Sequence, residues 1–202
     1  QQSFVPDFIP QEIVDKTLSP AHYPQNKFIS FLTKKCGNAL TAKACKRFRI
    51  GTSKHWPGAT IFWQIDHENR IRTGKIMLYS AETGRRVKHP HSQITWVHTL
   101  LYPKVCNAAQ WDAMRKKFNL NQCLFGLHQL NVALSGIIII VESEKTAVVA
   151  SIYLPQYTWM ASGGLKNLSL KTLAPIKHCN IILYPDQQAL CDWEAKAAML
   201  RK

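Results

Sequence analysis

The chain reads IIIIVESEKTA over residues 137–147. Five consecutive apolar residues without polar alternation are typical of a strand that is buried on both faces of a sheet. Glu142 follows this strand directly, and a helix is predicted to begin just after it. Because ligands and metals bind at the carboxyl ends of the strands in open α/β sheets, Glu142 is a candidate metal ligand.

A second segment has the same build. Residues 180–186 read NIILYPD, which we interpret as another buried strand that ends at Asp186. Two strands that each deliver a carboxylate to one edge of a sheet predict a divalent-metal site. Magnesium usually binds one or two protein carboxylates and keeps several waters.

Simpler structural roles compete with this interpretation. Glu142 can be a polar residue that ends a strand, and Asp186, after a proline, can be a turn or helix cap. Glu144 in the first turn of a helix stabilises the helix dipole without any further role. The second acid in register favours the functional interpretation of Glu142 and Asp186. Both interpretations of Glu144 stay open.

Three short motifs follow one another along this part of the chain: VESEKTA at 141–147, ASGG at 161–164 and YPDQQ at 184–188. They resemble the strand-borne glutamate, the glycine turn and the Asp-x-Asp position of the toprim family. This metal-binding fold is shared by bacterial primases, topoisomerases and some nucleases. The resemblance covers residues 137–202 and departs from the family at Gln188, which replaces the second acid of Asp-x-Asp.

The toprim resemblance implies that Glu142 and Asp186 are catalytic and, together with Gln188, hold Mg²⁺ or Mn²⁺. Gln188 would ligate the ion through its amide oxygen or hydrogen-bond a bound water, and a purely structural role for it also stays open. A site that normally uses three acids is weakened by the uncharged Gln188.

Hydrophobic patterning divides the chain into two parts. After residue 120, apolar strands alternate with helices in the rhythm of βαβ units and a parallel sheet. The predicted strands lie near 137–141, 157–161 and 179–184, and the predicted helices near 143–153, 165–174 and 188–200. We therefore expect an α/β fold, in which a C-terminal toprim-like parallel sheet with flanking helices (126–202) is preceded by a basic α+β subdomain (1–125). The resemblance leaves room for a last toprim strand beyond Lys202.

The basic subdomain combines helices with an antiparallel hairpin in our interpretation. Gly51 is interpreted as the end of a helix or the turn after it, and residues 66–69 as the hairpin turn. The predicted helices cover 24–36, 40–49 and 107–118, and the predicted strands cover 59–65, 70–79 and 92–98.

Positive charge is concentrated in the first part of the chain. The net charge is +14; residues 1–125 hold 19 Lys and Arg against 7 Asp and Glu, whereas residues 126–202 hold 7 against 5. A basic module joined to a near-neutral metal-binding module suits a polyanionic substrate. The alternative is a lysine surplus that only maintains solubility.

Cationic and aromatic residues interleave around the predicted hairpin. Cations can track phosphates while exposed aromatic rings stack on unpaired bases. Trp56, beside Lys54 and His55 in a loop, is the better stacking candidate, because Phe62 and Trp63 are expected in the core. Lys145 could contact phosphate at a helix N-terminus. The candidate nucleic-acid-binding residues are Trp56, Arg72, Lys75, Arg85, Arg86, Lys88 and Lys145.

This region has a looser resemblance of its own, carried by Gly51-Thr52, Ile65-Asp66, GKIM at 74–77, Lys88 and Phe125-Gly126. It resembles the stretch before toprim in bacterial primases, where a basic subdomain forms the groove for single-stranded template. The whole chain resembles toprim-containing proteins of unknown function from bacterial mobile elements. Those proteins often carry a cysteine-rich zinc module in front, so we expect this chain, which begins without methionine, to be a fragment.

Cysteine usage and hydropathy indicate the compartment. The six cysteines form no Cys-x-x-Cys pair and no zinc spacing, so we expect reduced thiols in the cytoplasm. The first residues lack the pattern of a secretory signal. No apolar run approaches the length of a membrane span, so we expect no membrane partner.

These observations predict a primase-like protein that performs metal-dependent nucleotidyl transfer on a single-stranded template during replication of a mobile element. Its expected partners are single-stranded DNA or another nucleic acid, nucleotides, and a helicase or other replication protein. One alternative is a non-catalytic nucleic-acid-binding module with a degenerate toprim site. Another is a toprim nuclease. A topoisomerase would need a tyrosine nucleophile in a further domain, for which the chain has little room.

Overall fold

A computed structural model describes residues 5–101, 118–132, 136–164 and 167–200. In the first part of the chain, the elements in order are α1 (Gln11–Asp15), a 3-10 helix (Pro20–Gln25), α2 (Lys27–Cys36), α3 (Asn38–Phe48), β1 (Ile50–Ser53), β2 (Ala59–Ile65), β3 (Ile71–Met77), β4 (Ile94–Trp96) and α4 (Val97–Leu100). The helix predicted over 107–118 lies outside the described residues except for its last residue.

The second part of the chain alternates strands with helices. Its elements in order are a 3-10 helix (Leu127–Val132), β5 (Ile137–Val141), α5 (Glu144–Tyr153), β6 (Thr158–Ala161), α6 (Leu170–Leu173), a 3-10 helix (Ala174–Ile176), β7 (Asn180–Tyr184), a 3-10 helix (Gln187–Ala189) and α7 (Leu190–Leu200).

The first four strands form an antiparallel sheet in the order β1-β2-β3-β4. Every residue of β2 is buried, as its β-branched and aromatic composition favours. Phe62 and Trp63 are both fully buried, so the prediction that they belong to the core is confirmed.

The turn predicted at Gly51 is wrong, because Gly51 lies inside β1 and pairs with Ile61. A Cβ at this position would lie 2.6 Å from Thr17 Oγ1 and 2.8 Å from Trp63 Nε1. Glycine therefore allows a close approach within a strand rather than a turn.

The other three strands form a parallel sheet in the order β6-β5-β7, which confirms the predicted parallel arrangement. Val141 at the end of β5 pairs with Ala161 of β6 and with Tyr184 of β7. The residues that follow these three strands therefore meet at one edge of the sheet.

The burial predicted for β7 is wrong. Asn180, Ile182 and Tyr184 share one face of β7 and are all exposed, with Ile182 at 46% and Tyr184 at 63%, whereas Ile181 and Leu183 on the other face are partly buried. Leu190, the first residue of α7, is also 46% exposed, whereas Trp193 of the same helix is buried.

One hydrophobic core joins the two sheets. Phe125 stacks on Phe48 with ring centroids 5.2 Å apart and meets Phe62 edge to face at 5.6 Å. The same cluster includes Val141 of β5 and Trp159 of β6. The described cysteines Cys36, Cys45, Cys123, Cys179 and Cys191 are free thiols, and Cys45 is the buried one among them. Within the described ranges, no helix is long and apolar enough to span a bilayer.

Candidate metal and nucleic-acid site

The candidate metal edge is built by the ends of the parallel strands. The Gly163 N–H donates to the Glu142 carbonyl at 2.9 Å, so the glycine turn after β6 folds onto the residue that follows β5. Gly163 has a φ of +76°, and a Cβ there would lie 3.0 Å from Glu144 Oε1. Glycine is therefore required both for the backbone conformation and for the space.

Glu142 and Asp186 follow the neighbouring strands β5 and β7 at this edge. Glu142 is half-buried and Asp186 is exposed. Neither carboxylate forms an ion pair within the part of the chain that the structure describes. Two uncommitted carboxylates at adjacent strand ends are a suitable oxygen donor set for Mg²⁺, which completes its shell with water.

A third acid does not join them. The described residues contain no group of three or more His, Cys, Asp and Glu side chains that could hold a metal ion. Gln188 lies exposed in the short 3-10 helix Gln187–Ala189 and does not change the charge at this edge. The donor set is therefore two carboxylates and, at most, one neutral amide.

Glu144 has a different partner. Its side chain is 2% exposed, and Lys75 Nζ lies 3.2 Å from Oε1 and 3.3 Å from Oε2. The same ammonium group donates to the Gly163 carbonyl at 2.9 Å. Glu144 therefore binds the antiparallel sheet to the glycine turn. Local sequence patterns missed this pair because its members are 69 residues apart.

Two of the predicted nucleic-acid-binding cations are engaged inside the protein. Lys75 is held by Glu144 and lies 5.8 Å from the ring centroid of Trp96. Arg72 is buried, and its Nε and Nη2 each lie 2.8 Å from Asp66 Oδ2. Both side chains fix local structure, and neither presents its charged group to a surface groove.

Three other predicted cations are exposed in the segment after β3, which we call the cationic turn: Arg85, Arg86 and Lys88. This segment is attached to α5, because Lys145 Nζ donates to the Gly84 carbonyl at 3.1 Å. The Ser143 hydroxyl caps α5 by accepting from the Thr146 N–H at 3.1 Å. Lys145 therefore holds the cationic turn beside the helix that begins after Glu142.

The pKa of Tyr79 is shifted by two nearby charged groups, Glu144 and Arg86. Burial raises its pKa, the Glu144 carboxylate raises it further, and Arg86 lowers it. Arg86 and Glu144 therefore both act electrostatically on the same buried phenol.

Trp56, the predicted stacking residue, lies in the bend after β1. It is half-buried against the core cluster that contains Trp63, and its ring meets the His55 ring edge to face at 4.4 Å. The structure does not bring Trp56 into contact with the cationic turn.

Gln64 is a site residue that sequence reasoning missed. It is 1% exposed, its Oε1 has no hydrogen-bond partner, and its Nε2 lies 3.8 Å from the Cβ position of Gly163. A single amide in a fully buried strand, whose only other polar residue is Thr60, was the available signal, since a buried polar residue needs a partner.

The described residues form a mixed α/β fold with a three-stranded parallel sheet, and this fold is similar to that of primase catalytic cores. Solved structures of the DnaG catalytic core and of the DnaG primase catalytic domain bound to ssDNA match with TM-scores of 0.57 and 0.58, at 13% and 14% identity. Both matches cover 92% of this chain, and they cover 64% and 65% of those chains. The E. coli primase catalytic core matches with a TM-score of 0.53 at 15% identity, over 91% of this chain and 64% of that chain.

The chain thus spans slightly less than two thirds of the primase cores that it matches. The family is shown by sequence: residues 26–187 match DUF6371, a domain of unknown function, and the chain belongs to this family. No curated protein matches the chain.

Proposed function

We propose that this protein is primase-like and performs metal-dependent nucleotidyl transfer on a single-stranded template during replication of a mobile element. The supporting observation is the placement of two uncommitted carboxylates, Glu142 and Asp186, after adjacent parallel strands. The likeness to primase catalytic cores supports the same proposal at the level of the fold.

Each half has its own role in this proposal. In residues 126–202, Glu142 and Asp186 would hold Mg²⁺ or Mn²⁺, and Gln188 would either ligate the ion through its amide oxygen or hydrogen-bond a bound water. When bound, the ion supplies neutralisation of triphosphate charge and orientation of the reacting oxygens. Residues 1–125 bind the template, and nucleotides are the second substrate. A helicase or another replication protein is the proposed partner.

The template contact of this proposal is the exposed cationic turn with Arg85, Arg86 and Lys88. A solved DnaG primase catalytic domain of similar fold is bound to ssDNA, which supports nucleic acid as the ligand. Lys145 acts here by fixing the turn through Gly84 rather than by contacting phosphate. Arg72 and Lys75 are left out of the contact because both charges are already paired.

A non-catalytic nucleic-acid-binding module is the second candidate. The observation that favours it is the reduced acid set, because Gln188 carries no charge and Glu144 is paired with Lys75. A site with only two carboxylates can bind a metal too weakly for catalysis, while the basic turn still binds nucleic acid.

Titration of Mn²⁺, monitored by electron paramagnetic resonance, tests the metal site directly. We expect stoichiometric binding by the wild type and its loss in Glu142→Gln, because the variant removes one of the two charges that attract the ion. Glu194→Gln is the matched control, since it removes one exposed carboxylate on α7. Primer synthesis on single-stranded DNA should follow the same order. If the wild type binds no Mn²⁺, the proposal of metal-dependent nucleotidyl transfer is contradicted, and the non-catalytic nucleic-acid-binding module is the function that remains.

A further inference from the structure

A long stretch near the start of the chain contains no acid at all. Between Asp15 and Asp66 there is no Asp or Glu, while the cations number nine: Lys16, Lys27, Lys34, Lys35, Lys43, Lys46, Arg47, Arg49 and Lys54. A surface that only maintains solubility normally mixes both signs of charge. The absence of any carboxylate therefore calls for a binding role of its own.

Most of the exposed cations of this stretch lie on the helix pair α2 and α3. The inner faces are buried through residues such as Phe28 and Leu32 of α2 and Phe48 of α3. The exposed lysines of the two helices are Lys27, Lys34, Lys35, Lys43 and Lys46, which we call the α2–α3 basic surface. Arg47 does not belong to it, because it donates to Gln129 and to the Tyr157 carbonyl.

The helices α2 and α3 contain no Asp or Glu, and among the described residues the acid that interacts electrostatically with their lysines is Glu82, which acts on Lys34 and Lys27. The ion pairs among the described residues lie elsewhere, at Asp66 and Glu68 with Arg70 and Arg72, and between Lys75 and Glu144. Lys43 and Lys46 are spaced three residues apart on one helix face, where like charges repel. This repulsion is relieved when a polyanion binds across the helices.

The position of α2 connects this surface to the cationic turn. The Phe31 side chain of α2 lies under the turn so closely that a Cβ on Gly84 would come within 2.5 Å of its ring. Glu82 of the same turn has a lowered pKa, caused mainly by the Ser80 hydroxyl and also by Lys34 and Lys27. The exposed face of α2 is therefore the next cationic surface beyond Arg85 and Arg86.

We propose that the α2–α3 basic surface is a second phosphate-binding segment that contacts the single-stranded nucleic acid beyond the turn with Arg85 and Arg86. This inference rests on the proposed function for the identity of the first contact. Phosphate is the group recognised, because the surface offers several ammonium groups and only Leu40 as an exposed large apolar side chain of α2 and α3. The contact is independent of base sequence, since ammonium groups bind the backbone as point charges.

Charge-neutral variants of the full chain test this inference. We compare Lys34→Gln/Lys35→Gln and Lys43→Gln/Lys46→Gln with the control Lys16→Gln/Lys177→Gln, which removes two exposed lysines outside the surface. Binding of labelled oligothymidylate is measured against salt concentration, with one oligonucleotide of about 8 nucleotides, within the footprint of a single binding module, and one several times longer. Circular dichroism verifies that each variant is folded.

We expect each α2–α3 variant to weaken binding of the long oligonucleotide and to flatten the slope of log Kobs against log salt by about 1.4, because two single-strand phosphate contacts are lost. Binding of the short oligonucleotide should match the control. Arg85→Ala/Arg86→Ala should weaken binding of both lengths.

Three outcomes overturn the inference. The first is that the α2–α3 variants bind the long oligonucleotide as the control does, and the second is that the wild type binds no oligonucleotide. The third is that, when the same variants are also tested with anionic phospholipid vesicles, only vesicle binding is weakened. The first leaves the proposed template contact intact if Arg85→Ala/Arg86→Ala still weakens binding. Conversely, weakening by the α2–α3 variants alone supports the second segment and removes the turn as the template contact.

Discussion

The ion pair between Lys75 and Glu144 is a buried contact between distant parts of the chain, with side chains 11% and 2% exposed. Removing only the lysine leaves a buried carboxylate without its counter-charge, which is far more costly than removing both charges. We expect Lys75→Met to lower the free energy of unfolding by about 3–5 kcal/mol. Urea denaturation measures this change, and Lys88→Met, at an exposed position, should stay within about 0.5 kcal/mol of the wild type.

The double variant Lys75→Met/Glu144→Met tests whether the two charges stabilise each other. Because both charges are gone, it should be more stable than Lys75→Met alone, although it has two substitutions. Simple additivity of the two single changes would show that the two side chains do not stabilise each other.

His128 makes the stability of the protein depend on pH, in a direction that follows from the shift of its pKa. Burial lowers its pKa to about 4; a backbone hydrogen bond with Arg47 raises it, and Arg49 lowers it again. Nε2 lies 3.1 Å from the Arg47 carbonyl oxygen, while Nδ1 has no partner. The unfolded chain, with an ordinary histidine pKa of about 6.5, therefore binds a proton at a pH where the folded protein does not.

It follows that the contribution of His128 to stability is complete above about pH 6.5 and is lost as the pH falls toward 4. We expect the wild type to lose about 2 kcal/mol between pH 7.5 and pH 5 from this residue. Urea denaturation at both values checks this, and His128→Gln should show a smaller difference. Burial also lowers the pKa of His98, so His98→Gln is the comparison that identifies its share. An unchanged pH dependence in His128→Gln would contradict the assignment.

Among the structural elements, the turn after β3 depends on one glycine. Gly84 has a φ of +62°, and a Cβ at this position would lie only 2.5 Å from the Phe31 ring, so glycine is needed to leave space for that ring. Gly84→Ala should displace the turn and weaken binding of single-stranded DNA, because Arg85 and Arg86 follow directly. Binding of Mn²⁺ should stay unchanged, since Glu142 is held by the sheet.

The control for this element is Gly136→Ala, because a Cβ at Gly136 would meet open space. Fluorescence anisotropy with labelled DNA compares the two variants. Equal DNA affinity in Gly84→Ala and Gly136→Ala would show that the turn does not position the two arginines.

Composition alone was enough to predict some elements and not others. β2 and β5 were predicted because apolar and β-branched runs favour strands wherever they pack. β1 was missed because it is four residues long and contains Gly51, whose role depends on Thr17 and Trp63. The exposure of β7 was missed because burial of both faces depends on neighbours that its own sequence does not encode.

The candidate site also has a part that could be predicted from the sequence and a part that could not. The order of β5 and β7 in a parallel sheet brings Glu142 and Asp186 to one edge, and this could be anticipated from the two strand ends. The engagement of Lys75 and Arg72 inside the protein could not be anticipated, because it depends on long-range contacts with Glu144 and on the folding of the hairpin turn around Asp66.

At the scale of the whole molecule, the boundary proposed after residue 125 passes through the core. Phe125 pairs with Ala161 of β6 through two backbone hydrogen bonds, of 2.9 and 3.0 Å. Its ring packs on Phe48 and Phe62, which belong to the first part of the chain. The two proposed functional halves therefore share one hydrophobic cluster, beside a second cluster built mainly by residues 126–202 and a third built by residues 1–125.

A shared core predicts one cooperative unfolding transition for the full chain, because neither half can lose its packing without exposing the apolar surface of the other. Trp63 is buried in the first part of the chain, and Trp159 and Trp193 are buried in the second. Variants that retain only Trp63 or only Trp159 should give superimposable urea transitions by fluorescence, and both should coincide with the transition seen by far-ultraviolet circular dichroism. Residues 126–202 produced alone should lack near-ultraviolet circular dichroism, because α5 and β6 lose their packing against Phe28, Phe48 and Phe62. Two separated transitions, or a natively packed 126–202 fragment, would instead show that the metal-binding half folds independently of the basic half.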